Sequence, residues 1–154
     1  MTETNMPPLD LDLNSVDTSM PLINGGNIVD FVAVKVEKKT TSDGTTPMLS
    51  IDWKSTGPTT DVKGQPLNAG VHLFDNVMLA PSGKSNWDMV VRNIASVVQA
   101  AGLQTNLNDF LQGGYSSLQG AAVRIKVGFV PEGPDKKGIH RRAKNEVSVY
   151  MKVS

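Results

Sequence analysis

The sequence predicts a mainly β (β+α) domain built from five strands and one principal helix. Five stretches alternate apolar and polar residues, and one stretch repeats apolar residues at i, i+3, i+4 and i+7. The chain has 154 residues, of which 39% are apolar and 19% charged, a composition suited to one globular domain without covalent cross-links. We expect an acidic N-terminal arm over residues 1–20 and a single domain over residues 21–154.

The first three strands are predicted over residues 28–38, 48–54 and 71–79. A turn at Asp43-Gly44 joins the first two, and a polar loop leads to the third. Period-two alternation in the first strand predicts an outward-facing Phe31 and an inner face of valines. The inner residues of this strand are expected to be Val32, Val34 and Val36.

After the third strand the apolar period changes to that of an amphipathic helix. The helix is predicted from Trp87 to Ala101, with Asn86 or Ser85 as its cap and Gly102 at its end. Trp87 lies on the apolar stripe and is expected in the core or as a hydrophobic staple at the start of the helix. A shorter helix follows over residues 106–111.

The last two strands are predicted over residues 121–130 and 146–153, separated by a basic loop. Arg124 and Lys126 face outward from the fourth strand. In the fifth, Val149 is expected inside, whereas Tyr150 and Lys152 face outward and make Tyr150 the best candidate for stacking on a base.

The resulting order is β-β-β-α-β-β. A five-stranded Greek-key barrel with a helix between its third and fourth strands, the oligonucleotide/oligosaccharide-binding (OB) arrangement, satisfies it. In that arrangement we expect the fifth strand between the first and the fourth. An α+β fold, with the helix packed on an open sheet, is the alternative.

The charges are balanced in number but separated along the chain. There are 15 basic and 15 acidic residues, yet residues 1–30 hold five acids and no base, while residues 136–144 hold five bases and no acid. This separation permits an anion-binding body.

Composition also excludes several kinds of site. The absence of cysteine excludes thiolate chemistry, and two isolated histidines offer neither a catalytic triad nor a His-rich metal centre. No phosphate-cradling glycine motif is present, and no apolar run approaches the roughly 18 residues of a membrane span. We therefore expect a non-enzymatic protein with no cofactor, no metal and no membrane segment.

Several stretches together resemble a known family. They are residues 7–26 (PPLDLDLNSVDTSMPLINGG), 29–53 (VDFVAVKVEKKTTSDGTTPMLSIDW), 100–102 (AAG), 118–130 (LQGAAVRIKVGFV) and 145–151 (NEVSVYM). The resemblance covers most of residues 7–153 and is to phage-encoded OB-fold proteins similar to single-stranded-DNA-binding proteins. It implies an OB fold and DNA binding without catalysis in phage replication or recombination. It also implies that the protein is located in the cytoplasm of an infected bacterium.

The candidate nucleic-acid contacts are the outward cations of the strands, the cations of the two basic loops and one aromatic residue. OB folds bind their ligands with the loops that follow strands one and four, and these are the two most basic loops here. The candidates are Lys35, Lys38, Lys39, Lys54, Arg124, Lys126, Lys136, Lys137, His140, Arg141, Arg142, Lys144, Tyr150 and Lys152.

Two partner classes follow from this pattern. Single-stranded DNA is the first, together with replication or recombination proteins. The alternative is a protein-interaction module on the same scaffold, acting as a recombination mediator or as an inhibitor of a host or phage protein.

Overall fold

The computed structural model describes residue 10 and residues 22–42, 44–83, 86–135 and 137–153. The predicted arm over residues 1–20 lies outside these residues except for Asp10. The protein is mainly β, with a five-stranded antiparallel sheet and few helices, which confirms the β+α prediction at that level.

The long strands of the sheet are joined by loops that contain two short hairpins, and the helical segments lie between the third and fourth long strands along the chain. The strands are β1 (Ile28–Thr40), β2 (Pro47–Ser55), β3 (Thr59–Thr60), β4 (Pro66–Leu67), β5 (His72–Met78), β6 (Ala122–Val130), β7 (Gly133–Pro134), β8 (His140–Arg141) and β9 (Lys144–Met151). The helices are α1 (Trp87–Ala101), α2 (Leu107–Leu111) and a 3-10 helix (Gly114–Leu118).

The strand order of the main sheet is β5-β2-β1-β6-β9. The expectation that the last strand lies between the first and the fourth is wrong, because β1 pairs directly with β6 and β9 lies beyond it. The length of β1 explains this order: its 13 residues pair with β6 near the N-terminal end and with β2 over most of the rest.

A β-bulge reverses the predicted faces of the first half of β1. The pairing with β2 shifts register between Ala33 and Lys35, which inserts one residue and moves the following side chains to the other face. Phe31 is therefore fully buried rather than exposed, and Val34 is 40% exposed rather than buried. Beyond the bulge Val36 packs against the core, as predicted.

A second register shift lies between Lys126 and Val127, where β6 pairs with β9. Val147 packs against the core, but Val149 is exposed and Tyr150 packs inward. The predicted faces of Val149 and Tyr150 are thus wrong, because alternation was counted through an irregular pairing, whereas Lys152 is exposed as predicted.

Helix α1 covers the core as the apolar period predicted. Asn86 accepts a hydrogen bond from the amide of Met89, and Gly102 ends the helix in the left-handed conformation with φ of 71°. Val90, Ile94, Val97 and Ala100 are buried. Trp87 is 49% exposed, so its assignment to the core is wrong.

Candidate nucleic-acid interface

The outer surface of β2 and β5 carries a group of polar side chains and one exposed aromatic ring. Leu49, Ile51 and Trp53 of β2 are buried, as are Leu73 and Val77 of β5, so the intervening residues face away from the core. The register pairs Ser50 with Asn76, Asp52 with Phe74, and Lys54 with His72. We call these six residues the β2–β5 face.

Phe74 is the exposed aromatic residue of the β2–β5 face. It is 57% exposed, and its ring is stacked on His72 with centroids 6.1 Å apart and planes 15° from parallel. The His72 Nδ1 atom lies 2.6 Å from Asp52 Oδ1. Because a carboxylate only accepts hydrogen bonds, Nδ1 carries the proton, and Asp52 holds the imidazole in position beneath the Phe74 ring.

Phe74 was absent from the candidates drawn from the sequence. The signal was present in the chain, because Leu73 and Val77 alternate with polar residues and place Phe74 on the opposite face. His72 itself is partly buried and lies on an edge strand of the sheet. Its contacts with Asp52 and Phe74 follow from strand pairing and from neighbouring side chains.

One of the predicted lysines, Lys54, belongs to this face, and a second, Lys35, lies beside it. Lys54 lies directly opposite His72 and is exposed. Lys35 of β1 lies opposite Asp52, and its Nζ atom is 3.4 Å from Glu37 Oε2, which also lies 3.9 Å from Lys39 Nζ. Lys54 is therefore the lysine that offers an unpaired charge beside the aromatic stack within the described chain.

Three further predicted cations are paired with acids. Arg124 Nε donates to Asp30 Oδ1 at 2.8 Å, and this hydrogen bond and charge raise the pKa of the Arg124 guanidinium. His140 Nε2 lies 3.2 Å from Glu132 Oε2. These contacts and the one between Arg141 and Asp135 at 3.0 Å reduce the positive charge expected from these residues.

The remaining predicted cations form no ion pair within the described residues, and they are spread over the surface. They are Lys38, Lys54, Lys126, Lys137, Arg142, Lys144 and Lys152, while Lys136 lies outside the described residues. Lys126 is on the outer side of β6 between Ile28 and Val149. Lys152 lines a groove beside the C-terminal end of α1. The ion pairs of the other cations reduce the electropositive surface expected from the sequence.

Asp135 organises the basic loop between β6 and β9. Its Oδ1 accepts hydrogen bonds from the amides of Lys137 and Ile139, each at 2.9 Å, and its Oδ2 accepts one from Arg141 Nε. The backbone bond from Ile139, followed by the Arg141 bond, lowers the pKa of Asp135. The loop therefore presents Arg142 from a hydrogen-bonded hairpin, β7 and β8.

Tyr150 does not face solvent as predicted. Its ring packs on Trp53 with centroids 5.8 Å apart, and its hydroxyl accepts from Trp53 Nε1 at 3.1 Å and donates to Asp75 Oδ2 at 2.6 Å. Burial raises the pKa of both Tyr150 and Asp75. This orientation excludes Tyr150 as an exposed stacking surface, and the burial of Phe31 excludes it in the same way.

The described residues contain no group of three or more His, Cys, Asp or Glu side chains placed to hold a metal ion. Within the same part of the chain, no helix has both the length and the apolar character needed to cross a bilayer.

Comparison of the sequence with protein-family models and with curated proteins finds no match. No match assigns a function to the site, so its chemistry is inferred from the residues that form it.

Proposed function

We propose that this protein binds single-stranded DNA without catalysis, with the β2–β5 face as the centre of its binding surface. The observation that carries the proposal is Phe74, an exposed aromatic ring beside His72 and one strand away from Lys54, which forms no ion pair with any described residue. Single-strand binders combine aromatic surfaces for the bases with cations for the phosphates. The resemblance noted in the sequence supports a role for this activity in phage DNA replication or recombination.

The sheet supports an OB-type, partly open barrel as the scaffold. Its first long strand pairs with the second and the fourth, which leaves β5 and β9 at the two edges. The hydrogen bond between Asp75 and Tyr150 links these edges, so the sheet curls until its ends approach. In an OB barrel the second and third strands carry the ligand face, and their counterparts here are β2 and β5.

Two loops extend this surface, although Lys38 and Lys39, expected in the first of them, lie at the end of β1. The loop over residues 41–46 follows the C-terminal end of β1, whereas the loop over residues 131–143 follows β6 beyond the N-terminal end of β1. Both loops flank the ligand face in OB folds. Lys38 and Arg142, next to or within these loops and without ion pairs in the described chain, supply phosphate contacts there.

The mechanism is release of counterions from the phosphates together with stacking on one aromatic ring. Affinity therefore falls as salt rises, with a slope of roughly 0.7 per neutralised phosphate on a single strand. With one exposed aromatic residue on the face, stacking adds about 1–3 kcal/mol, and sequence preference is small.

Titration of labelled oligo-dT by fluorescence anisotropy at two salt concentrations tests the proposal. Phe74→Ala should weaken binding by about fivefold or more, with an unchanged salt slope. Lys54→Glu should weaken binding and also lower the slope. The matched controls are Trp87→Ala, which removes an equally exposed aromatic ring from α1, and Lys63→Glu, which reverses an exposed charge in the turn between β3 and β4.

Absence of binding at low salt would reject the proposal. If Phe74→Ala and Trp87→Ala have equal effects, the β2–β5 face is not the binding surface. Equal affinity for duplex DNA would replace single-strand binding with general DNA binding.

The protein-interaction alternative is favoured by one observation. Val91 of α1 and Leu107 of α2 are 39% and 37% exposed and line one groove, and Trp87, 49% exposed, lies one helical turn before Val91. Large exposed apolar residues that lie together are typical of protein contacts. This function predicts partner binding that is lost in Trp87→Lys, retained in Lys54→Glu and insensitive to nuclease treatment.

A further inference from the structure

We propose that Asp52 selects the base that stacks on Phe74, favouring bases that present an amino group, such as cytosine, over thymine. This inference rests on the proposed function, because it concerns the same face. It adds a specificity-determining residue to binding that is otherwise directed at backbone and ring surfaces.

The geometry of the stack limits where a base can lie. His72 lies beside the Phe74 ring in a nearly parallel orientation, with centroids 6.1 Å apart, and Phe74 is 57% exposed, so a base can stack on the exposed part of its ring. Asp52 is directly opposite Phe74 in the strand pairing, and cross-strand neighbours on one face have Cβ atoms about 5 Å apart. The edge of a base stacked on Phe74 therefore lies within reach of the Asp52 carboxylate.

One oxygen of this carboxylate is available to a ligand. Oδ1 is bound to His72 Nδ1 at 2.6 Å, whereas Oδ2 has no hydrogen-bond partner among the described residues. The side chain is 20% exposed, so it is fixed by His72 yet open to solvent. The histidine bond sets the carboxylate orientation before a base arrives.

The chemistry of the free oxygen determines the preference. A carboxylate accepts hydrogen bonds but donates none, so it can pair with the N4 amino group of cytosine, as Asp and Glu do in DNA complexes. The O4 atom of thymine is also an acceptor and is repelled at the same position. Ser50 and Asn76 of the same face can both donate and accept hydrogen bonds, so they tolerate either base.

The test compares oligo-dC with oligo-dT of equal length, in a mildly alkaline buffer that keeps oligo-dC unstructured. Wild-type protein should bind oligo-dC about fivefold more tightly, which corresponds to about 1 kcal/mol for one contact of this kind. Asp52→Asn should reduce that ratio to about one, mainly by tightening binding to oligo-dT, since the amide can donate to O4.

Glu37→Gln is the matched control. Like Asp52→Asn it removes one negative charge, but from the outer surface of the neighbouring strand β1. It should tighten binding to both oligonucleotides equally and leave the ratio unchanged. Competition with oligo-rC should give the same preference over oligo-rU, since the amino group is common to both sugars.

The outcomes separate this inference from the proposed function. If neither oligonucleotide binds, the proposed function fails. If both bind equally to the wild-type protein, DNA binding stands but base selection by Asp52 is refuted, whatever the folding of the variant. A ratio that survives in folded Asp52→Asn would also refute it.

Discussion

Replacing Tyr150 with phenylalanine removes one hydroxyl group that makes two hydrogen bonds, one to β5 at the opposite edge of the sheet and one to Trp53 of β2. The hydroxyl accepts from Trp53 Nε1 at 3.1 Å and donates to Asp75 Oδ2 at 2.6 Å. The ring itself stays, so packing against Trp53 is largely preserved. The variant therefore isolates the polar contribution to the closure of β5 on β9.

The magnitude follows from the exposure of the two groups left without partners. Trp53 is fully buried, so its unpaired N–H costs about 1–3 kcal/mol. Asp75 borders a cleft of about 340 Å³ between β5, α1 and β9, where water can replace the lost Tyr150 donor. Losing this hydrogen bond to the carboxylate should therefore cost an amount near the low end of the range of about 1.5–3 kcal/mol for bonds to charged groups. We expect Tyr150→Phe to lower the free energy of unfolding by about 2–4 kcal/mol.

Urea unfolding monitored by circular dichroism measures this loss, and amide hydrogen exchange should show faster opening in β9 than in β1. Tyr115→Phe is the matched control, because Tyr115 is partly buried against Phe110 but its hydroxyl has no hydrogen bond among the described residues. A loss below about 0.5 kcal/mol in Tyr150→Phe, indistinguishable from that control, would refute the reasoning.

Three further predictions concern stability and loop order. Burial raises the pKa of Asp75 from its ordinary value of 3.8. As pH rises above that value, the native state keeps the Asp75 proton while the unfolded state loses it, so the free energy of unfolding falls. Asp75→Asn lacks this effect, and urea unfolding should show that the stability of this variant relative to wild type increases with pH. Asn86→Ala removes the cap of α1 and should cost about 1 kcal/mol in thermal unfolding. Asp135→Ala should speed amide exchange at Lys137 and Ile139 without changing exchange in the sheet, because their amide bonds to the carboxylate are lost.

Local patterns in the sequence located most of the elements. The alternation predicted a strand over residues 48–54, close to Pro47–Ser55, and one over residues 121–130, close to Ala122–Val130. The helix from Trp87 to Ala101 was predicted with its cap and its terminal glycine. These features depend on residues within a few positions of one another, and the sequence displays them directly.

The faces of two strands could not be predicted in the same way. The bulge in β1 changes which residues are buried, and its position is set by how β1 pairs with β2 rather than by the residues of β1 alone. The same applies to Tyr150, whose orientation follows from the pairing of β6 with β9. Counting alternate residues through these irregularities gave the wrong face for Phe31 and Tyr150.

The electrostatics of the candidate site were also beyond local patterns. Arg124 pairs with Asp30 across 94 positions of the sequence, and the charge that it offers depends on that contact. Phe74 is a candidate for base stacking because a histidine lies beside its ring and a carboxylate lies opposite it on the neighbouring strand. Neither relation is visible before the strands are paired.

The amino-acid sequence by itself determined where the five long strands and the principal helix lie, because backbone preference and apolar periodicity act over a few residues. Tertiary structure alone decided which side chains are exposed together and which charges are neutralised, because those properties arise when strands distant in sequence pair and shift register against one another.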